Sequence, residues 1–258
     1  MKEFFSFVES LVTIVLVLVG LAGLAYSGFR EGGWVSHGFS RLGDALVDTP
    51  LIALSLMTRV GVERIMRFAF RLAQSRPRKQ ITVVTKSNAQ RHAMVMWDQI
   101  AAEVAREFPD VTWDKELVDA MTARMVNRPA TLDTIVATNL HADILSDLAA
   151  ALAGSLGIAP TGNIDPERRY PSMFEPIHGS AFDIMGKGLA NPIGTFWSVV
   201  MLLEHLGETD AASRVMSAIE QVTADPALHT RDLGGTATTV QVTEAICRAI
   251  ASAARQAA

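Results

Sequence analysis

Short β-branched runs alternate with stretches of helical period through this chain, and that alternation leaves few architectures open. Ile81-Thr-Val-Val-Thr85 reads as a buried strand, Val111 to Val118 is strand-like, and Thr134-Ile-Val-Ala-Thr138 reads as another short apolar strand. Between and around them, apolar residues recur at helical spacing. Val60, Val62, Ile65, Met66, Phe68, Ala69, Leu72 and Ala73 form one such stripe, ended by Gln74-Ser-Arg-Pro77. Further helices are expected from about 89 to 108, from 118 to before Pro129, and from Asp143 to Leu156, the last closed by Gly157. After a loop from Pro160 to Tyr170, helices follow at about 190–206 and 209–223, and a last one runs through about Ala254. Strands interleaved with helices imply an α/β fold with a largely parallel sheet.

The 258 residues suffice for a sizeable core and for one or two domains. A formal charge of −4 gives no electrostatic reason to expect nucleic acid. The lone Cys247 excludes an internal disulfide; the apolar pattern of the last helix suggests that it is buried. The basic run Ser75-Arg-Pro-Arg-Lys79 is expected to be a solvated helix end. The N-terminus differs in character, because no charged residue occurs from Ser10 to Phe29. Three readings stand open for it: a membrane-spanning helix, a signal peptide, or a buried strand through Val12 to Val19.

Several segments could carry chemistry. His178-Gly-Ser-Ala-Phe-Asp183-Ile-Met-Gly-Lys-Gly-Leu-Ala-Asn191-Pro192 puts three glycines and a carboxylate ahead of an apolar helix. Glycines admit close approach of a ligand, and helix N-termini offer free N–H donors. An acidic side chain there can accept both hydroxyls of a ribose. The alternative is an ordinary Gly-rich surface loop. Asp143 and Asp147, four apart on a helix, put two carboxylates on one face, suited to a hard divalent cation. The competing reading is that Asp143 caps the helix and Asp147 favours its dipole. Lys86 directly follows a strand, where α/β proteins commonly present functional side chains.

The wording of these segments resembles the β-decarboxylating dehydrogenases, the family of isocitrate, 3-isopropylmalate and tartrate/D-malate dehydrogenases. His178 to Pro192 is similar to the family's nucleotide loop, and Asn139 to Pro160 to its metal-binding segment, with His141-Ala142 where relatives often carry Phe-Gly. Thr85-Lys-Ser-Asn88 is similar to the catalytic lysine segment, and Asp232-Leu-Gly-Gly-Thr-Ala-Thr-Thr239 to a second adenosine-side loop. Thr58 to Ile65, Gln74 to Pro77, Asn163 to Arg169 and Pro171 to His178 look most like the tartrate/D-malate branch.

The resemblance implies an isocitrate/isopropylmalate-dehydrogenase-like α/β fold, truncated at the N-terminus and carrying an apolar leader over residues 1–24. A small, dimerising domain with an arm would span 25–157, and the C-terminal part of the large NAD-binding domain 158–258. It further implies oxidative decarboxylation of a 2-hydroxy acid such as tartrate or D-malate, with 3-isopropylmalate as an alternative substrate. A silent dimerising or membrane-tethered remnant is the rival from another class. The cofactors implied are NAD and Mg2+ or Mn2+, with a homodimer sharing its active sites and a cytoplasmic location, or a membrane anchor if the leader spans a bilayer.

By the same resemblance, Lys86 and Tyr26 are catalytic. Asp143 and Asp147 hold the metal, completed by Asp119 from the partner subunit. Asn88, Glu175, His178, Gly179, Ser180, Ala181, Asp183, Ile184, Asn191 and Asp232 contact the cofactor. Asp183 points to NAD, since a carboxylate repels the 2′-phosphate of NADP. Phe182 departs from the family's usual proline, and the arginines that grip substrate carboxylates have no counterpart in Val19 to Ala25. The chain alone is therefore expected to have little dehydrogenase activity.

Overall fold

The computed structural model describes residues 56–256; the apolar leader, Tyr26 and the arm segment lie outside them. Helix α1 (Arg59–Ser75) begins where Thr58 accepts a hydrogen bond from the Gly61 N–H, and Val62, Met66, Ala69, Phe70 and Ala73 form its buried stripe. Strand β1 (Gln80–Thr85) is buried at every position after Gln80. It is the middle strand of a parallel sheet of order β2-β1-β3, with β2 at Thr112–Leu117 and β3 at Thr134–Val136. Burial on both faces explains why β1 reads as a β-branched run with no charged residue and no polar–apolar alternation.

The two faces of β1 have separate cores. Ile81 and Val83 pack with Met66 and Phe70 of α1 and with Met94, Trp97 and Ile100 of α2 (Ala93–Ala105). Phe70 stacks on Phe108 at 5.6 Å and meets Trp113 edge-on at 6.5 Å. On the other face Val84 packs with Met121 and Met125 of α3 (Val118–Asn127) and with Leu145 of α4 (Asn139–Ala153). The expected α/β layering is present.

Helix α4 starts four residues earlier than the sequence suggested. Thr138 is the capping residue, its side chain accepting from the His141 N–H, so Asp143 lies in the second turn and caps nothing. Gly154, at φ 121°, stops the helix before Gly157 is reached.

The stretch from Pro160 was expected to be plain loop. It contains β4 (Pro160–Asn163), paired antiparallel with β5 (Met173–Pro176) in a two-stranded ribbon. Between them Asp165 accepts from the Arg169 and Tyr170 N–H groups and from Arg64 of α1 at 2.6 Å, which pins the tip of the ribbon.

A third core joins α5 (Ile193–Leu206), α6 (Thr209–Thr223) and α7 (Thr239–Gln256) through Val200, Ile219, Val222, Val242 and Ile246. Helix α7 opens with a reciprocal cap: the Thr238 N–H donates to Gln241 Oε1 at 2.8 Å and the Gln241 N–H to Thr238 Oγ1 at 3.3 Å. Cys247 is exposed, contrary to expectation, because Ala245, Ile246 and Ala249 take the inward face of α7.

The basic run is also not merely solvated. Arg76 pairs with Asp133 and Lys79 with Asp110, each at 2.8 Å, while Arg78 donates to the Leu132 carbonyl at 2.8 Å. These cations tie the end of α1 to the loops that flank the strands. No helix among the described residues is long and apolar enough to cross a membrane.

Candidate functional site

Lys86 leaves the carboxyl end of β1, and Asp119 sits in the first turn of α3, which follows β2. Because β1 and β2 are parallel neighbours in register from Gln80↔Thr112 to Thr85↔Leu117, the two residues emerge at the same edge of the sheet. Their side chains meet, with Lys86 Nζ donating to Asp119 Oδ1 at 2.5 Å. The ammonium holds the Asp119 carboxyl below the usual carboxylate range. Carboxyl ends of parallel strands are where open α/β sheets place ligands. Asn88 lies exposed in the turn just beyond, where Ala89 and Gln90 donate back to the Lys86 carbonyl.

Asp143 and Asp147 are both exposed on α4 and form no ion pair among the described residues. Neither sits in the first turn, so helix capping and the dipole do not account for them. Like charges one turn apart cost a helix about 0.2–0.5 kcal/mol. Two unneutralised carboxylates on one face suit a hard cation in charge and donor type. Among the described residues no group of three or more His, Cys, Asp or Glu is gathered, so any third ligand has to come from elsewhere.

His141 precedes this pair. It is 8% exposed, and its Nδ1 is buried without a hydrogen-bond partner. Burial first, and the Lys86 charge second, push its pKa below the ordinary histidine range. Sequence reasoning treated His141 as a bystander, because nothing in the local pattern marks it as inward-facing and polar.

The glycine segment forms an exposed loop. His178 Nδ1 donates to the Gly179 carbonyl at 2.9 Å, and successive turns link Ile184 to Ala181 and Lys187 to Ile184. Ser180, Ala181 and Asp183 are exposed, as is Glu175 on β5. Ala181 holds a left-handed conformation, φ 43°, a strain often found at ligand-binding loops. Gly186 and Gly188 are explained by their own positive φ. Gly179 is not. A Cβ there would meet nothing within 4 Å, so the chain's own packing does not demand a glycine.

Asn191 and Asp232 have internal duties. Asp232 accepts from Ser155 Oγ at 2.5 Å, Asn191 Nδ2 at 3.0 Å and Thr230 Oγ1 at 2.6 Å. Asn191 Oδ1 in turn accepts from the Ile193 N–H at the start of α5. The two side chains thus fasten the glycine loop, the Ser155 turn and the Asp232 loop together. Thr239 adds another tie, donating from Oγ1 to the Ala190 carbonyl and from N to the Gly188 carbonyl. Ser155 and Thr230 were missed by sequence reasoning.

Burial raises the Asp232 pKa, but the three donors outweigh it and the net shift is downward. A depressed carboxylate contributes stability that is present above its unfolded pKa, about 3.9, and lost as pH falls through the folded value. The Asp232 junction is therefore expected to hold at neutral pH and to loosen below about pH 4. Amide exchange at Ser155, Asn191 and Thr230 as pH is lowered checks this; protection that is unchanged well below pH 4 would contradict it.

The chain thus presents a lysine–aspartate pair at the carboxyl edge of a parallel sheet, a helix with two aspartates that form no ion pair among the described residues, and an exposed glycine loop. Residues 43–247 match the profile of the isocitrate/isopropylmalate dehydrogenase family, and the chain belongs to that family. It is 71% identical over 221 residues to a probable tartrate dehydrogenase/decarboxylase, TtuC', of Agrobacterium vitis, covering 86% of this chain and 61% of that protein. It is 47% identical over 225 residues to D-malate dehydrogenase [decarboxylating] of Escherichia coli (strain K12), covering 85% and 62%. Among solved structures, isocitrate dehydrogenase from Methylococcus capsulatus superposes with a TM-score of 0.74 at 41% identity, over 77% of this chain and 58% of that one. The chain spans about three fifths of the length of the curated relatives it matches.

Proposed function

We propose that this chain carries the lysine, metal-ligand and nucleotide-loop portion of an NAD- and divalent-metal-dependent oxidoreductase that decarboxylates a 2-hydroxy dicarboxylic acid. The observation that carries the reading is the 2.5 Å contact of Lys86 with Asp119 at the carboxyl end of the sheet. Tartrate and D-malate are the substrates favoured, because the relatives at 71% and 47% identity bear those names.

Asp143 and Asp147, joined by Asp119 of a second copy, would hold Mg2+ or Mn2+. The bound cation would supply a Lewis acid for the substrate's hydroxyl and adjacent carboxylate. NAD would supply the acceptor for the hydride of the carbinol carbon. Lys86, once its ammonium has released a proton to solvent, would accept the hydroxyl proton at Nζ, and Tyr26 would return a proton to the enol carbon after loss of the β-carboxylate. Gly179 leaves room for the cofactor, and the exposed Asp183 accepts its ribose hydroxyls. Asn88 lies on the nicotinamide side, while Asn191 and Asp232 act by holding the loops in place.

The sharing of sites requires a homodimer. The exposed Leu140 and Ile144, which flank the metal pair on α4, and Val126 near the end of α3 support one, as large apolar side chains open to solvent. In this reading the small, dimerising domain runs through residue 157 and the large NAD-binding domain follows it.

The test is oxidation of D-malate and of tartrate, followed by reduced-nucleotide absorbance with NAD and NADP in parallel and Mn2+ present. The reading predicts weak turnover, since the arginines that grip substrate carboxylates have no counterpart in Val19 to Ala25, and that turnover is NAD-linked and disappears on chelation, with NADP poorer. NADP equal to or better than NAD would contradict the role of Asp183, and turnover resistant to chelation would contradict the metal site.

A further inference from the structure

His141 is the buried polar group that the proposed chemistry leaves unused. Its position follows from two periodicities. Side chains along a strand alternate, and Lys86, the first residue past β1, continues the alternation onto the face of Val84. On that face Leu145 of α4 packs in one cluster with Val84. His141 lies one turn before Leu145 on the same side of the helix, and both are buried. Helix α4 follows β3 and returns across the sheet, so its N-terminal end lies at the carboxyl ends of the strands. A turn of helix advances about 5.4 Å and two strand residues about 6.6 Å, so stepping back one turn from Leu145 brings His141 towards the Lys86 end of the same face.

The imidazole's Nδ1 is buried and has no partner, and a buried polar atom left unpaired is costly. In the tautomer that carries its proton on Nε2, that Nδ1 offers a free lone pair. Lys86 carries three donor hydrogens, and only Asp119 accepts from it among the described residues. Under the proposed function, which this inference extends, Asp119 also serves as a metal ligand, and a carboxylate drawn onto a cation has less to give to a lysine.

We infer that His141 is a positioning residue: its Nδ1 lone pair is the second acceptor for the Lys86 ammonium, and it holds Lys86 at the carboxyl end of the sheet when Asp119 turns away. The arrangement is a two-position rest for one side chain, with the surface carboxylate as one seat and the buried imidazole as the other.

The test needs neither substrate, cofactor nor metal, so its outcome is independent of whether the chain turns anything over. The chain is labelled with 15N-histidine and observed by NMR at mildly alkaline pH, with His141→Phe assigning the resonances. Asp119→Ala removes the first seat from a mostly exposed position, and Asp119→Asn serves as a second, gentler variant. The expected result is an upfield shift of the His141 Nδ1 resonance in both variants, the sign of a lone pair that has gained a donor. Adding Lys86→Met should return the resonance to its original position. A His141 signal that is unmoved by loss of Asp119, or a shift that survives Lys86→Met, would overturn the inference.

Discussion

Gly235→Ala is expected to be among the most destabilising single-methyl additions to this chain. A Cβ at that position would lie 2.0 Å from the His229 carbonyl oxygen and 2.6 Å from its carbon, far inside van der Waals contact. The backbone cannot simply retreat. Gly235 N donates to the Thr230 carbonyl at 3.0 Å and Ala237 N to the His229 carbonyl at 2.9 Å, so both sides of the clash are pinned. Relief would displace the loop that carries Thr230 and Asp232, loosening the junction with Ser155 and Asn191. Overpacking against fixed backbone belongs at or above the upper end of the usual range, about 3 kcal/mol. For a chain of this size that corresponds to a fall in Tm of about 6–12 °C. Gly179→Ala is the matched control, because nothing lies within 4 Å of its Cβ; it should leave Tm unchanged while weakening NAD binding. A Gly235→Ala chain melting with the parent would show that the loop is far softer than its hydrogen bonds imply.

Lys86→Met is expected to separate chemistry from folding. Methionine keeps most of the apolar stem and removes only the ammonium. Asp119 loses its partner, but its side chain is 65% exposed, so water replaces the lost contact at little cost to stability. Turnover should nevertheless fall by about 10²–10⁴-fold, the usual contribution of a positioned general acid–base. The effect belongs in kcat, because the proton transfer is made in the transition state rather than in binding. The check is steady-state kinetics beside Mn2+ binding and Tm on the same preparations. A variant retaining near-parental kcat would remove Lys86 from the chemistry.

Much of the architecture was legible because the sheet's burial is two-sided. Ile81 to Thr85 reads as an unbroken β-branched run without charge for the same reason that it sits centrally between two helix layers. Strands β4 and β5 left no such mark: each is four residues long, and Pro160-Thr-Gly-Asn163 carries no alternation. The start of α4 was misplaced because Asp143 and Thr138 are both plausible caps, and only the His141 N–H contact decides between them. Within the site, Lys86 and the Asp143–Asp147 pair were visible as local spacing. The employment of Asp232 was not, since its donors Ser155 and Asn191 are 77 and 41 residues away in sequence. A side chain's hydrogen-bond partners over such separations are set by tertiary packing, which no local pattern encodes.

The central claim is that a site is built from Asp143 and Asp147 of one chain and Asp119 of another. Mixing two inactive variants tests it directly, with Mn2+ binding as the readout. Asp119→Ala and Asp143→Ala chains, each alone, should bind Mn2+ weakly. After subunit exchange, half of the dimers are mixed, and each mixed dimer carries one intact and one doubly broken site, so about a quarter of all sites should regain parental affinity. Recovery near that fraction is the predicted result. A mixture that binds Mn2+ no better than its separate components would contradict the shared site.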